Sequence, residues 1–242
     1  MDYKSIKTNT VHDKTDIYLV GVFTDKKLSH VGKSITKTSL ALVKKCFDKN
    51  NFTGEIGDHR TFDDNVSNIQ IVFFGLGQKQ KYNPLNLYRS IKGIIDKIRK
   101  TNAKNISVNI DNIISKTKNI TLELLVSHIE DSFYKYSFKK EKQVSKISNC
   151  NIISNEILEK NTFTTCIKNG KAIANGIKFA KDLGNTPPNI CNPTFLSKEA
   201  LKLKKINKKL KVTILNESTM KSMGMGSLLS VSQGSKQPAK LV

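Results

Sequence analysis

The sequence predicts an α/β protein built around a mainly parallel sheet, and three observations lead there. Short apolar runs of strand length, DIYLVGVF at Asp16–Phe23 and NIQIVFFG at Asn68–Gly75, lack polar alternation, as strands buried on both faces do. Between such runs stand stretches whose apolar residues recur every three or four positions, the mark of a helix with one buried stripe. Strand-type and helix-type segments alternate through roughly the first 150 residues, which is the order that βαβ units produce.

The elements follow in chain order. Asp16–Phe23 is the first strand. Leu40, Val43 and Phe47 give a helix between Thr36 and Lys49. Asn68–Gly75 is the second strand, closed by Gly75-Leu76-Gly77. Pro84 suits the first turn of a helix whose inner face is Leu87, Ile91, Ile94, Ile95 and Ile98 and which ends near Asn102. Ile106, Val108 and Ile110 alternate with polar residues as in a strand, and Leu122–Tyr134 returns to helical spacing. Lys139–Lys142 reads as a loop before a last strand near Ile147–Ile153. From Leu158 to Leu183 one long helix is expected, with Ile173, Ile177, Ala180 and Leu183 along one side and Gly184 as its terminator. Asn185-Thr186-Pro187-Pro188-Asn189 cannot continue it, because two prolines remove donors and fix φ. A shorter helix begins at Thr194 as its cap, with Leu196, Ala200, Leu203 and Ile206 inward, and Lys211–Leu215 reads as a strand.

Composition narrows the function classes. The chain has 242 residues, 38% hydrophobic and 7% aromatic, with no Trp, the profile of a globular protein. No run has transmembrane length, and the polar N-terminus MDYKSIKTNTVHDKTDIYLV lacks the apolar core of a secretory signal, so a cytoplasmic location is expected. Cys46, Cys150, Cys166 and Cys191 lie far apart with no CxxC pair, which argues for reduced thiols and against a zinc knuckle or a disulfide framework. The formal charge of +21 raises nucleic acid as a partner, yet of 41 basic residues only Arg60, Arg89 and Arg99 are arginine. Lysine accumulating beside Asn and Ile, all with AT-rich codons, reads as compositional drift on solvated faces.

Several local patterns carry no chemistry by themselves. Gly75-x-Gly77 between a strand and a helix lacks the third glycine and the ribose-binding acid of a dinucleotide fingerprint. His12, His30, His59 and His128 form no HExxH or HxH arrangement. Gly224-x-Gly226 marks a chain reversal, while Met220, Met223 and Met225 read as core filler. Ser232-Gln233-Gly234-Ser235 is not a nucleophile elbow.

Two ordered blocks are more specific. Residues 169–200, NGKAIANGIKFAKDLGNTPPNICNPTFLSKEA, contain Ala180-Lys181-Asp182-Leu183-Gly184-Asn185-Thr186-Pro187-Pro188-Asn189, which resembles the ARDLVNTPPNVCTP-like stretch of the leucyl aminopeptidases, the dinuclear-metal cytosol aminopeptidase family. Residues 220–242, MKSMGMGSLLSVSQGSKQPAKLV, resemble that family's LGMGALLAVSQGS-like segment. FFGLGQK at Phe73–Lys79 and YKYSFK at Tyr134–Lys139 are similar to its strand-turn and YRFDRYK-like blocks.

The resemblance implies a macro-like N-terminal α/β domain over residues 1–153, a connecting helix over 154–184 and the start of a peptidase catalytic domain over 185–242. It implies metal-dependent removal of N-terminal residues, leucine preferentially, with peptides as substrates and two divalent ions, Mn or Zn, as cofactors. Such a pair of ions holds the amine, polarises the carbonyl and activates a water. For the complete enzyme it implies a homo-hexamer assembled largely through catalytic domains, which is not expected of this chain. The family's carboxylate ligands, its lysine and its arginine lie beyond the SQGS-like segment, from a GKGxTFDxGG-like motif onward. After Asn185 this chain has only Glu199 and Glu217 as acids. It is therefore expected to be truncated before the active site and inactive alone, with Leu241-Val242 as the start of an unpartnered core strand. No residue is assigned a catalytic, metal-binding or substrate-binding role. The alternative is a non-enzymatic DNA-binding remnant that uses the basic N-terminal domain; lysine-rich stretches such as Lys198–Lys211 also fit a phosphate-tracking surface.

Overall fold

A computed structural model describes residues 1–7, 15–25, 37–48, 52–64, 68–111, 113, 118–137, 145–156 and 158–242. The expected loop at Lys139–Lys142 lies outside these residues, as do His12 and His30 and the side chain of Leu40. The chain divides into two units, Met1–Lys178 and Phe179–Val242, so the division falls inside one helix.

Unit 1 carries a six-stranded sheet. In chain order its strands are β1 (Asp2–Lys7), β2 (Ile17–Phe23), β3 (His59–Asp64), β4 (Ile69–Gly77), β5 (Asn105–Asn109) and β6 (Asn149–Ser154). Their spatial order is β1-β6-β5-β2-β4-β3, parallel throughout except for β3 against β4. The expected mainly parallel α/β sheet is what the chain forms. β2 and β4 are the continuous apolar runs, and every residue of β2 is buried. Their central places in the sheet explain it, since both faces are covered.

Helices α1 (Lys37–Asp48), α2 (Pro84–Ile98), α3 (Lys118–Ser132) and α4 (Lys160–Asn185) flank the sheet. One apolar cluster joins Ile17, Leu19, Phe74 and Val108 to Leu87, Ile91 and Ile95 of α2, Leu125 and Ile129 of α3 and Cys166 of α4. The opposite face buries Tyr18, Val20, Ile71 and Phe73 against Val43 and Phe47 of α1 and against Phe52. Phe47 stacks on Phe52 at 4.8 Å between ring centroids. The α2 entrance forms as its sequence directs: Pro84 opens the helix, and Asn83 caps it by accepting from Asn86 N at 3.0 Å.

Two strands escape the apolar pattern. β1 (DYKSIK) and β3 (HRTFDD) stand at the two edges of the sheet and leave all but one of their residues exposed or half-exposed. Charged edge strands resist pairing with other chains.

The long helix also differs from expectation. α4 runs through Gly184 to Asn185, and Pro187 ends it rather than a glycine cap, because the residue before a proline avoids helical geometry. Its buried stripe is Cys166, Gly170 and Ala174, while Ile173 is 42% exposed.

Unit 2 contains the end of α4, then α5 (Pro193–Ile206), α6 (Glu217–Ser222) and α7 (Gly226–Ser232), with β7 (Leu215–Asn216) paired antiparallel to β8 (Lys240–Leu241). The strand read at Lys211–Leu215 is thus confined to its last residue and the one after it. Asn192, not Thr194, caps α5, accepting from Phe195 N at 3.0 Å. Of the face expected to point inward, Ala200 and Leu203 are half-buried, whereas Leu196 is 45% and Ile206 82% exposed.

Candidate functional site

Two regions gather the residues that the sequence singles out. The first is the carboxyl end of the unit 1 sheet, where open α/β sheets usually bind ligands. Gly75-Leu76-Gly77 lies there as the irregular end of β4 rather than as a turn after it, and its glycines are required for packing. A Cβ on Gly75 would stand 1.9 Å from the carbonyl oxygen of Glu55, and Gly77 has φ +78°. The backbone amides of its two glycines are already used. Gly75 N donates to Asp58 O at 2.9 Å, and Gly77 N donates to Gly54 O at 2.9 Å. A phosphate cradle needs free amides, so this end of β4 is a brace for the 52–58 segment. Asp58 secures that segment by accepting from Thr53 N at 2.6 Å and from Thr53 Oγ1 at 2.9 Å. Burial alone would raise its carboxyl, but these bonds and the Arg60 guanidinium hold it below the usual carboxylate range.

At the same end of the sheet, Asp111 links the ends of β5 and β6. It accepts from Ser154 Oγ at 3.1 Å, Asn155 N at 2.9 Å and Asn155 Nδ2 at 2.9 Å. Asn109 Nδ2 donates to the Tyr18 hydroxyl at 3.0 Å and faces Asp111 Oδ2 at 3.4 Å. Sequence reasoning did not find Asp111. Its only signal is an acid just past a predicted strand, and several donors converging on one carboxylate fix a loop rather than supply a base.

Of the histidines within the described residues, His59 opens β3 opposite Phe74, next to the Gly75 end of β4, and His128 lies on α3. His59 lies 2.7 Å from Lys97 Nζ, and His128 meets the Tyr88 ring at 5.1 Å between centroids. Burial lowers the basicity of His128 more than the Pro84 carbonyl and Asp131 raise it. Cys150 and Cys166 are buried thiols outside any disulfide, raised by desolvation, and Cys46 and Cys191 are half-buried and likewise not disulfide-bonded.

The second region lies in unit 2. Thr186 N and Oγ1 both bond back to Asp182 O, at 3.0 and 2.6 Å, closing α4. Pro187 O then accepts from Ile190 N and Cys191 N, both at 2.9 Å, which turns the chain toward the Asn192 cap. Met223-Gly224-Met225 forms a second turn, with Gly224 at φ +73° and Met225 N bonded to Met220 O at 3.0 Å. Of the three methionines only Met220 is fully buried, whereas Met223 is 57% exposed. Both acids of this unit after Asn185 are committed locally. Glu199 pairs with Lys202, and Glu217 Oε1 accepts from Ala239 N at 2.8 Å. Among the described residues no three His, Cys, Asp or Glu side chains converge as a metal would need. The described residues therefore do not fit a dinuclear metal centre.

Comparison with known proteins assigns both regions to one lineage. The profile of the N-terminal domain of the cytosol aminopeptidase family matches residues 19–143, and that of its catalytic domain matches residues 178–242. The chain belongs to the cytosol aminopeptidase family. A probable cytosol aminopeptidase of Nitrosococcus oceani is 32% identical over 236 residues, which is 95% of this chain and 47% of the relative. One from Buchnera aphidicola subsp. Baizongia pistaciae is 32% identical over 245 residues, covering 96% of this chain and 48% of its own length. The chain thus spans about half the length of the curated relatives it matches. Among solved structures, a mutant of tomato leucine aminopeptidase superposes with a TM-score of 0.82 at 19% identity, covering 99% of this chain and 49% of that one. The bottromycin maturation enzyme BotP, also solved in complex with Mn, gives 0.67 at 14% identity over 93% of this chain and 44% of its own. At these identities the structural likeness shows the α/β fold.

Proposed function

We propose that these 242 residues are the N-terminal domain and the opening of the catalytic domain of a cytoplasmic, metal-dependent aminopeptidase that removes N-terminal residues, preferentially leucine, from peptides. The observation that carries this reading is the pair of family matches in the order N-terminal domain, catalytic domain. In the complete enzyme two divalent ions, Mn or Zn, supply the Lewis acidity and the activated water. The residues described here do not hold those ions, so their contribution is architectural: the Pro187 turn directs α5, and Glu217 fastens the segment leading to β8. These 242 residues by themselves hydrolyse no peptide bond and do not form a hexamer. Incubating the purified chain with leucine p-nitroanilide and Mn²⁺ or Zn²⁺ tests this. No release above the blank is expected, and release that a chelator abolishes would overturn it.

A second reading is nonspecific DNA binding. One observation favours it: Lys198, Lys204, Lys205, Lys208, Lys209 and Lys211 are all exposed on α5 and the turn after it. Binding of this kind weakens steeply with salt. A gel-shift titration between 50 and 500 mM salt, on the order of the range over which counterion release acts, separates it from a peptidase fragment with an incidental charge.

A further inference from the structure

Away from both regions, unit 1 contains a groove of about 460 Å³ at the amino ends of β5 and β6, formed by the end of α2, the turn after it, the end of α3 and the approach to β6. Among the described residues, five cationic side chains line it against one carboxylate, Asp96. Asp96 is shared between Lys92 at 3.5 Å and Arg99 at 3.2 Å, which offsets part of those two charges. Lys146 donates to the neutral Asn102 Oδ1 at 2.8 Å, and among the described residues no carboxylate pairs with Lys100, Lys135 or Lys146. All three are exposed around one concavity.

Lysines near helix carboxyl ends commonly answer the helix dipole, and that accounts for Lys100 and Lys135. It does not account for Lys146, which leads into a strand, nor for the two rings in the same wall, Phe133 and Tyr134. Like charges gathered in a concave surface attract anions, and aromatic faces stack on bases. The volume lies within the range of small-ligand clefts, whereas a strand of several nucleotides needs a longer track.

We propose that this groove binds a nucleoside di- or triphosphate, its phosphates held by Lys100, Lys135 and Lys146 and its base against Tyr134 and Phe133. The site is independent of the peptidase reading and uses none of that reading's residues. ATP without added metal is the probe, measured by calorimetry with the full 242-residue chain, alongside pyrophosphate and adenosine.

One ATP per chain is expected, with pyrophosphate binding more weakly and adenosine weaker still. The triple change Lys100→Glu, Lys135→Glu, Lys146→Glu is expected to weaken ATP at least about tenfold, as loss of several charge-assisted bonds to phosphate would. Tyr134→Ala should weaken ATP and leave pyrophosphate unchanged. Should the triple variant misfold by circular dichroism, Lys135→Gln with Lys146→Gln replaces it and is expected to weaken ATP severalfold. No saturable ATP binding would overturn the proposal, as would ATP binding that a folded lysine variant leaves intact. A single-stranded oligonucleotide that binds far more tightly than ATP through the same lysines would also overturn it, in favour of a nucleic-acid surface.

Discussion

Among the described glycines, Gly75 is the one whose added Cβ would come nearest to another backbone segment. With the Glu55 carbonyl 1.9 Å from where its Cβ would be, Gly75→Ala must push the 52–58 segment off β4 and break the Gly77 N to Gly54 O bond. A loss of about 3 kcal/mol is expected, in the upper range for single changes, and urea unfolding of the variant measures it. His128 tests the opposite kind of constraint. Its lowered basicity means that the folded chain prefers the neutral ring, while the unfolded chain titrates near the ordinary value of 6.5. The unfolded state therefore binds more protons as pH falls through and below 6.5, so stability is full above that value and declines beneath it. Stability measured at intervals from about pH 7.5 to 5.5, either side of the ordinary histidine value, should show this slope in the native chain and a shallower one in His128→Gln. Equal slopes would remove His128 from the account.

Within single elements, α4 offers a contrast between two glycines on one helix. A Cβ on Gly170 would lie 2.7 Å from Glu123 O and 2.8 Å from Val126 Cβ, so α4 crosses α3 at a spacing only glycine permits. Nothing lies within 4 Å of a Cβ on Gly176. Gly170→Ala is therefore expected to destabilise by about 1–3 kcal/mol through overpacking, and Gly176→Ala to stabilise by about 0.5–1 kcal/mol through helix propensity. Opposite shifts of the thermal midpoint would confirm the pair. Asn192→Ala should cost about 1 kcal/mol by uncapping α5, whereas Thr194→Ala should cost less.

That cap shows what the sequence could and could not disclose. The pattern Asn-Pro-Thr-Phe at 192–195 contains two eligible caps, and only the Pro193 position, favoured at the first helical residue, decides between them. β2, β4, α2 and β5 were legible because burial on both faces or on one stripe leaves an apolar signature. β1 and β3 were not, since edge strands with exposed side chains carry no such signature. Leu196 and Ile206 have inward spacing on α5 yet stand 45% and 82% exposed. Of the candidate site, the family-marking blocks could be read directly. The engaged amides of Gly75 and Gly77 and the bonds to Asp111 depend on partners far away in sequence.

Across the whole molecule, burial is divided unequally. Between Phe179 and Val242 only Ser197 and Met220 are buried, while Met223, Leu228 and Val231 are exposed, the last at 84%. Unit 1 holds both apolar clusters. Segments with few buried apolar contacts open most easily, so brief trypsin digestion is expected to cut first beyond Lys178 and to leave a resistant product containing the six strands. Equal cleavage in both units, read by mass spectrometry, would contradict this.

The parallel pairing of β1 with β6 sets Asp2 opposite Asn149. On the ribosome, the first strand therefore emerges long before the strand that receives it. At synthesis rates of roughly 5–20 residues per second the interval is about 7–30 s. During that wait the Asp2–Lys7 strand stays unpaired, and its lysines make it a poor template for neighbouring nascent chains. Closing the sheet across so wide a sequence separation is also slow in itself. The charged edge thus protects the chain during synthesis as well as after it has folded.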